Sequence, residues 1–365
     1  MKRIGIAVSI LSLSLGGLLA SGCSQAEDPQ EAAPAAEQVS EGPAAAGLQI
    51  RANTLFGPLP ADAAIEANPS TPERVELGRK LYADPRLSKN HDVSCNSCHQ
   101  LDNYGVDSEP TSPGHKGQRG GRNSPTSLNA ALHVAQFWDG RSPDVEDQAK
   151  GPVLNPIEMA MPDVAAVETV LRSIPGYAPL FAAAFPGEEQ PVSFDNMALA
   201  IAAFERKLIT PDPFDAFMQG DAAALDAQQL RGLQGFVDAG CITCHIGPAV
   251  GGRTFQKLGL VKPYETADAG RFDVTGRESD RGVFKVPSLR NVARTGPWFH
   301  DGSISELSEA IRLMAEHQLG KSLEAGQIAD IEAFLGTLTG TVPSALAAAP
   351  ELPASGPETP APDPS

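Results

Sequence analysis

The sequence lacks an excess of positive charge and has little continuous hydrophobic length. Its 365 residues include 28 lysines and arginines against 45 aspartates and glutamates, which gives a formal net charge of −17. This balance argues against binding to nucleic acid or to an anionic membrane surface, whereas a basic protein partner would be attracted. The apolar run at residues 4–19 is too short for a comfortable transmembrane helix. We therefore expect contact with a membrane only through a lipid anchor.

The alternation of apolar and polar residues that is typical of β-strands is almost absent, apart from short possibilities near residues 282–288. Helical spacing is common instead. In residues 71–82, Thr71 is a candidate N-cap and Pro72 suits the first helical position. After Ser193, the apolar residues at helical spacing are Phe194, Met197, Ile201, Phe204 and Leu208. These patterns predict a predominantly α-helical protein.

Cysteine is scarce, and each of the five cysteines falls in a recognisable motif. Cys23 follows the apolar N-terminal run, and the other four form two Cys-x-x-Cys-His motifs at residues 95–99 and 241–245. This motif is typical of covalent haem c attachment, in which each thiol adds to a haem vinyl group. The following histidine, His99 or His245, then binds the iron on its proximal side. The predicted attachment residues are Cys95, Cys98, Cys241 and Cys244.

Three other uses of these cysteines are less consistent with the sequence. A thioredoxin-like Cys-x-x-Cys would require a βαβ context, which the sequence lacks. A zinc site would not require a histidine directly after both cysteine pairs. Export to an oxidising compartment would permit disulfides, but two complete haem motifs in an exported chain favour haem c.

The N-terminal residues resemble a bacterial lipoprotein signal. Lys2 and Arg3 precede the apolar run, and small residues lead to Cys23, which would be acylated as the mature N-terminus. We expect a signal peptide at residues 1–22 and a periplasmic protein anchored through Cys23 to the outer membrane, since Ser24 does not favour inner-membrane retention. Cleavage of an ordinary secretory signal is the alternative.

The rest of the chain divides into four expected parts. Residues 23–52 and 342–365 are rich in alanine and proline, which predicts a lipidated disordered tether and a disordered tail. Because the two haem motifs are 146 residues apart, we expect separate domains at residues 53–210 and 211–341. Each domain would carry one haem c, with long glycine- and proline-rich loops packed against it.

Each haem iron has a second axial position, and its occupant separates an electron carrier from a catalyst. Met314 is the one methionine after the second motif, on a helical stripe with Leu307 and Ile311. A thioether ligand would raise the reduction potential of that haem, although such a stripe also suits a packed core. For the first haem, His115 lies in a glycine-rich loop that could move, and His133 is the competing candidate.

The chain resembles the bacterial di-haem cytochrome c peroxidases over nearly all of residues 53–341. The resemblance rests on the stretches CNSCH, GHKGQRGGRNSPTSLN, FWDGR, LNPIEM, CITCH, VPSLRNVARTGPWFHDG and AIRLMAEHQLG. It implies a predominantly α fold of two cytochrome c-like domains, each with one covalently bound haem c. The N-terminal haem would reduce peroxide, and the C-terminal haem would receive electrons.

The resemblance also implies the roles of the haem ligands. His99 and His245 would be the proximal ligands, and Met314 would be the distal ligand of the C-terminal haem. His115 would be the distal ligand of the resting N-terminal haem and would leave when the other haem is reduced. Trp138 falls where the family has a tryptophan between the two haems, which suggests an electron bridge.

The family binds calcium between its domains. By resemblance, the side-chain oxygen of Asn123 and the backbone carbonyls of Thr295 and Pro297 would hold Ca²⁺, an ion that requires hard oxygen ligands. The ion would help to set the geometry between the haems. The resemblance further implies a homodimer.

The expected reaction is the reduction of hydrogen peroxide to two waters. Glu158 is the candidate proton shuttle, because apolar sequence neighbours would raise the pKa of its carboxyl group. Gln148 is the candidate for orienting the peroxide. Trp138 and the C-terminal haem would deliver electrons from a small c-type cytochrome or a blue-copper protein (a cupredoxin).

Two other functions stay open at this point. One is a di-haem electron carrier that never opens its iron, and the other is an oxygenase or a cofactor-maturing relative that uses the same haems. The relatives that make a modified tryptophan cofactor have tyrosine in place of the methionine ligand and lack the distal histidine. The presence of Met314 and His115 therefore favours the peroxidase.

Overall fold

The computed structural model describes residues 43–365. The expected signal peptide, the acylated Cys23 and most of the expected tether lie outside the described residues. Residues 43–365 belong to one compact unit. No helix in the range 43–365 combines the length and the apolar composition needed to cross a membrane.

The prediction of a predominantly helical protein is confirmed. The helices of the first half are α1 (Pro43–Phe56), α2 (Pro72–Ala83), α3 (Cys95–Cys98), α4 (Val145–Gln148), α5 (Gly151–Leu154), α6 (Val164–Ser173), α7 (Tyr177–Ala184) and α8 (Phe194–Glu205). The helices of the second half are α9 (Pro213–Met218), α10 (Ala227–Ala239), α11 (Phe272–Thr275), α12 (Leu307–Leu319), α13 (Ala325–Gly336) and α14 (Ser344–Ala347). The strands β1 (Phe255–Lys257) and β2 (Val283–Lys285) pair antiparallel.

Helices α2 and α8 form the centre of the first half. Both begin where the sequence predicts: the Thr71 side chain accepts a hydrogen bond from the backbone of Arg74, and Ser193 caps α8 in the same way. The two helices pack so closely that a Cβ at Gly78 would lie 1.9 Å from the carbonyl oxygen of Ala200. Glycine is therefore required at this contact, because any side chain would push the helices apart.

Helices α10 and α13 repeat this arrangement in the second half. A Cβ at Gly232 of α10 would lie 1.8 Å from the carbonyl oxygen of Asp330 in α13. Asp226 and Gln229 form a reciprocal capping box at the start of α10. Each Cys-x-x-Cys-His motif thus lies in a half of the chain built around one glycine-mediated helix crossing.

The described residues contain two buried apolar clusters. The first draws on residues from Leu77 to Leu208, and the second draws on residues from Phe214 to Leu338. Helix α1 adds Leu48, Ala52 and Phe56 to the second cluster. The chain therefore crosses from the second half to the first directly after α1, which local sequence patterns did not indicate.

Two parts of the expected disordered segments are ordered. Residues 43–52 were expected to belong to the tether, but they form most of α1, because Leu48, Ala52 and Phe56 recur every four residues and pack as one face. Residues 342–365 were expected to form a disordered tail, but they run along the first half of the chain. Their backbone carbonyls accept hydrogen bonds from basic side chains, including Arg79 to Ala348 (3.0 Å) and Lys80 to Glu351 (2.6 Å).

A buried ion cluster holds the junction between the halves. Arg290 donates to Asp212 across 2.5 Å and to Asp215 across 2.8 Å, and all three side chains are buried. Burial raises the pKa of Asp212 to about 7, Arg290 opposes this shift, and Asp215 adds to it. Asp212 lies two residues after Thr210, the last residue of the expected N-terminal domain, so the cluster fixes the boundary between the two expected domains.

Candidate haem sites

The first Cys-x-x-Cys-His motif folds as a single helical turn. Helix α3 spans the two cysteines, and the backbone amide of His99 donates to the carbonyl of Cys95 across 2.9 Å. Ser94 and Ser97 cap this turn reciprocally. Because residues three apart lie on the same helix face, both thiols point to one side of the turn.

The second motif adopts the same backbone hydrogen bond. Helix α10 ends at Gly240 in the left-handed conformation (φ 95°), and a 3-10 turn follows over Cys241–Thr243. The backbone amide of His245 donates to the carbonyl of Cys241 across 3.0 Å. The shared bond between the first cysteine and the histidine indicates that both motifs present their side chains alike.

No disulfide bond joins the four motif cysteines. Burial raises the pKa of the Cys98 and Cys241 thiols to about 11. Across residues 43–365, no three histidine, cysteine or carboxylate side chains come together as a metal site. The arrangement therefore does not match a four-cysteine zinc site, which was one of the alternatives.

Burial disfavours the charged form of both motif histidines. Burial lowers the pKa of His99, and it lowers that of His245 to about 4, while the backbone carbonyls of Val250 and Pro287 partly oppose this second shift. The Nδ1 atom of each ring is buried without a hydrogen-bond partner in the described part of the chain. A neutral imidazole is the form that ligates a metal, so both rings suit an axial ligand.

A large and mostly apolar cavity adjoins the second motif. Cys241, Cys244 and His245 line it on one side, and Met314 of α12 lines it as well. An apolar cavity with two thiols, a neutral imidazole and a thioether fits a covalently attached haem. Met314 is half-buried and shares its helix face with Leu307 and Ile311, which also line the cavity.

Trp138 lies in the wall of the same cavity, although it comes from the first half of the chain. Its indole Nε1 donates to the backbone carbonyl of Asn123 across 2.9 Å. Its own backbone carbonyl accepts from the amide of Lys285 in β2 across 2.7 Å. These two bonds fix Trp138 between the halves, as an electron bridge would require.

The three residues predicted to bind calcium line this cavity too. The side-chain Nδ2 of Asn123 donates to the backbone carbonyl of Glu109 across 3.1 Å, which leaves Oδ1 as its available donor atom for a metal. Within residues 43–365, no hydrogen-bond donor reaches the backbone carbonyls of Thr295 or Pro297. One amide oxygen and two free carbonyls fit the oxygen preference of Ca²⁺.

The structure joins His115 to Glu158 on the side of the first motif. The backbone amide of His115 donates to the carbonyl of Glu158 across 2.7 Å. A Cβ at Gly114 would lie 2.1 Å from the carbonyl oxygen of Ile157, so only glycine permits this close approach. The His115 ring is buried, and its Nε2 lies 3.3 Å from the carbonyl oxygen of Ser365 in the tail.

Glu158 lies close to the first haem motif. Burial is the main cause of the raised pKa of Cys95 and Cys98, and the charge of Glu158 adds to both shifts, which indicates that its carboxylate lies within electrostatic range of the two side chains. Burial raises the pKa of Glu158 itself, while the charge of Arg141 and a hydrogen bond from Asn155 oppose that shift. A carboxyl group with a raised pKa beside a reaction centre can both accept and release a proton near neutral pH.

Two other candidates are positioned less directly. Gln148 ends helix α4 with a half-buried side chain, and within the described ranges no hydrogen bond links it to Glu158. His133 lines the cavity of the second motif, where its Nδ1 lies 3.0 Å from Lys285 Nζ. This position does not suit His133 as an alternative to His115 at the first motif.

Sequence reasoning missed Lys285 and Arg141. Lys285 is a buried lysine at the end of β2, and a single lysine inside the apolar stretch VFKVP was the available signal. Arg141 stacks on the ring of Phe137 at 3.4 Å and acts electrostatically on Glu158. Its place in FWDGR gave no indication of this second contact.

Comparisons with known proteins agree with this arrangement. A family model described as di-haem cytochrome c peroxidase matches residues 72–223. The cytochrome c551 peroxidase of Pseudomonas aeruginosa is 48% identical over 304 residues, covering 81% of this chain and 87% of that protein. The cytochrome c551 peroxidase of Nitrosomonas europaea is 43% identical, and the alignment covers 94% of this chain and 94% of that protein. A solved structure of a MauG-like protein associated with microbial copper homeostasis is similar at a TM-score of 0.70 and 31% identity, covering 83% of this chain and 97% of that chain.

Proposed function

Because the chain belongs to the di-haem cytochrome c peroxidase family, we propose that it reduces hydrogen peroxide to two waters with electrons from a small c-type cytochrome or a cupredoxin. The observation that carries this proposal is the junction of His115 and Glu158 beside the first haem motif. A movable ligand and an acid–base group at one haem are what a peroxidase requires and an electron carrier does not.

Two haem c groups would be held by the two motifs. His99 would ligate the first iron and His245 the second, with Met314 opposite His245. When bound, the haems supply the iron coordination site for peroxide and the two-electron reducing capacity. The neutral, enclosed imidazoles and the apolar cavity support this assignment.

His115 is the proposed gate of the peroxide site. Its side chain would ligate the first iron in the resting state and withdraw when the second haem is reduced. The loop that carries it has Gly117 with φ 69° and Gly114 in close contact with residue 157, so a withdrawal of the ring that moves this loop would also strain the Glu158 backbone. Opening of the site and positioning of the carboxylate would therefore occur together.

Glu158 is the proposed proton shuttle. Its carboxylate would take a proton from the peroxide oxygen nearer the iron and return it to the farther oxygen, so that water leaves. Burial raises the pKa of Glu158, which favours return of the proton, and the charge of Arg141 opposes this shift. Gln148 would orient the peroxide by donating from its amide.

The remaining residues would supply the electron and fix the geometry. Trp138 would conduct from the C-terminal haem, since it lines that cavity and hydrogen-bonds both halves. Ca²⁺ at Asn123, Thr295 and Pro297 would tie the same segments together. Asn123 accepts the indole N–H of Trp138 on its backbone carbonyl, so calcium binding would act directly on the position of the bridge.

We further propose that the protein works in the periplasm, as a homodimer anchored through an acylated Cys23. Two haem motifs and a lipoprotein-like N-terminus support export. The acidic surface would attract a basic donor protein.

The test is peroxide turnover by the full di-haem protein with a reduced c-type cytochrome as donor and calcium present. Oxidation of two cytochromes per peroxide is the expected stoichiometry. If the protein exchanges electrons with the cytochrome but leaves peroxide intact, it is an electron carrier. If it oxidises an added organic or protein substrate instead, it is the oxygenase or the cofactor-maturing relative.

A further inference from the structure

Two basic side chains meet in the wall of the C-terminal cavity and have no assigned role. The Nζ atom of Lys285 lies 3.0 Å from Nδ1 of His133, and both residues line the cavity. They come from different halves of the chain: Lys285 ends β2, and His133 follows a 3-10 turn at Ala130–Leu132. The contact is therefore specified by the tertiary fold and not by local sequence.

The contact between Lys285 Nζ and His133 Nδ1 determines which ring nitrogen of His133 carries a proton. A lysine ammonium has only donors, so Lys285 donates and Nδ1 of His133 accepts. The neutral His133 ring must then carry its proton on Nε2. That Nε2 atom is buried and has no hydrogen-bond partner among the described residues. A buried N–H donor without an acceptor is costly, and His133 lines the cavity, so we expect the group that accepts this bond to enter from there.

The buried charge of Lys285 indicates that the group that accepts the His133 Nε2 hydrogen bond is negatively charged. Lys285 is 6% exposed, and no carboxylate of residues 43–365 forms an ion pair with it. Burial alone lowers the pKa of Lys285 to about 8. A buried ammonium that contacts only another base is unfavourable unless an anion joins it. The missing acceptor is therefore expected to be anionic.

Haem c brings carboxylates into this cavity. Its vinyl-bearing edge would be tied to Cys241 and Cys244, and its two propionate groups lie on the opposite edge of the ring. Haem c carries two propionates, so one can accept from Lys285 Nζ and the other from His133 Nε2, which together satisfy the buried charge and the orphaned donor.

We propose that Lys285 and His133 form a propionate clamp for the C-terminal haem and raise its reduction potential. The inference rests on the proposed function only in that a haem occupies this cavity. A cation held at the propionate offsets negative charge, and the offset stabilises the reduced haem, which carries one positive charge fewer at its iron. Lys285 and His133 are thus positioning residues that help to make this haem the electron reservoir.

The clamp also connects to the electron bridge. The backbone amide of Lys285 donates to the carbonyl of Trp138 across 2.7 Å. Anchoring of the propionate by the Lys285 side chain would therefore fix the haem edge relative to the indole. The same residue would set both the potential of the haem and its distance from the bridge.

The experiment measures the midpoint potentials of both haems in the full di-haem protein by spectroelectrochemical titration. Lys285→Met removes the charge, Lys285→Arg keeps it, and Lys257→Met removes an exposed charge from the paired strand β1 as a matched control. We expect Lys285→Met to disfavour reduction of the C-terminal haem at least about tenfold, which is about 59 mV for one electron. The N-terminal haem and the Lys257→Met variant should keep their wild-type potentials.

A second pair of variants tests the histidine without removing the charge. His133→Leu removes the cavity-facing donor, whereas His133→Gln offers an amide N–H in its place. We expect altered propionate bending modes in the resonance Raman spectrum of His133→Leu, and modes closer to wild type in His133→Gln. If Lys285→Met fails to fold or to attach its haem, Lys285→Arg and the two His133 variants decide the question by the same readouts.

Unchanged C-terminal potential in Lys285→Met, or an equal shift in Lys257→Met, would overturn the clamp. Unaltered propionate modes in His133→Leu would do the same. Failure of the peroxidase proposal would look different, because two attached haems with a normal Lys285 effect and no peroxide turnover would leave the clamp intact.

Discussion

The backbone amide of His115 donates to the backbone carbonyl of Glu158 across 2.7 Å. The bond joins two loops that are 43 residues apart in the chain, and it couples the predicted gate to the predicted proton shuttle. The loop of His115 cannot move without disturbing the segment that carries Glu158, because Gly114 already approaches this segment at the steric limit.

Removal of the gate should remove the need for activation. In His115→Gly the first iron would lack its distal ligand in the oxidised protein, so we expect peroxide turnover without prior reduction and a high-spin spectrum at rest. His91→Gln, a change of a histidine in the same half, serves as the control and should behave as wild type. A low-spin spectrum and an inactive oxidised form of His115→Gly would remove His115 from this role.

Removal of the shuttle should affect chemistry and not haem binding. Glu158→Gln keeps the size of the side chain and deletes its titration, so we expect both haem spectra to persist and turnover to fall at least about 10²-fold. The acid limb of the pH–rate profile, where protonation stops the carboxylate from taking the peroxide proton, should be lost in this variant, since burial raises the pKa of Glu158 in the folded protein. Near-normal turnover in Glu158→Gln would show that another group transfers the proton.

Glu205 should make the protein less stable at high pH. It is buried at the end of α8 with Oε2 unpartnered in the described part of the chain, and burial raises its pKa to about 8. The unfolded carboxyl titrates near 4.5. Between these values the folded state binds more protons than the unfolded state, so the stabilisation is complete below about pH 4.5 and is lost as the pH rises through about 8.

The variant Glu205→Gln should remove this pH dependence. Calorimetric or denaturant unfolding at pH 6 and pH 9 measures it: the wild type should lose more stability than Glu205→Gln over this interval, by an amount on the order of 1 kcal/mol or more. An equal loss of stability in the wild type and in Glu205→Gln would mean that Glu205 does not titrate between pH 6 and pH 9.

Arg290 should be essential for the junction between the halves. Arg290→Met would leave Asp212 and Asp215 buried without a cation, at a cost of about 3–5 kcal/mol in the free energy of unfolding. Combining Arg290→Met with Asp212→Asn and Asp215→Asn should restore most of this stability, because asparagine still caps α9 and carries no charge. An equally unstable triple variant would indicate that packing by Arg290, and not its charge, holds the junction.

The helix crossings give a matched pair of glycine substitutions. Gly232→Ala forces a Cβ to within 1.8 Å of the Asp330 carbonyl oxygen, whereas Gly326→Ala in α13 meets no atom within 4 Å. We expect Gly232→Ala to destabilise the protein by about 1–3 kcal/mol or more and Gly326→Ala to be neutral or stabilising by up to about 1 kcal/mol. Chemical denaturation of both variants checks this, and similar effects would contradict the close crossing of α10 and α13.

Local sequence patterns predicted those elements whose signals are themselves local. Helix α2 begins after the predicted cap Thr71, because a cap acts within one helical turn, and α8 begins after Ser193, where the predicted apolar spacing starts. Helix α1 was missed because its alanine-rich composition resembles that of a tether, while its three buried apolar residues gain stability only from the second core. The path of the tail was missed for a similar reason, since it depends on hydrogen-bond donors that lie elsewhere in the chain, such as Arg79 and Lys80.

In the candidate sites, too, features set by local sequence could be predicted, whereas contacts set by the tertiary fold could not. The haem motifs and Met314 could be singled out as candidates from the sequence, since the chemistry fixes their spacing or their residue type. The bond between His115 and Glu158, and the meeting of His133 with Lys285, could not, because they join loops from distant parts of the chain. Residue types indicate which side chains can do the chemistry, and tertiary structure decides which of them meet.

The most direct test of the account is the spectrum of the protein after one-electron reduction in the presence of calcium. We expect the C-terminal haem to accept the electron and remain low-spin, while the N-terminal haem becomes high-spin as His115 withdraws and then reacts with added peroxide. If both haems stay six-coordinate and low-spin, and peroxide leaves the spectrum unchanged, the gate does not open and the proposed peroxidase mechanism is wrong.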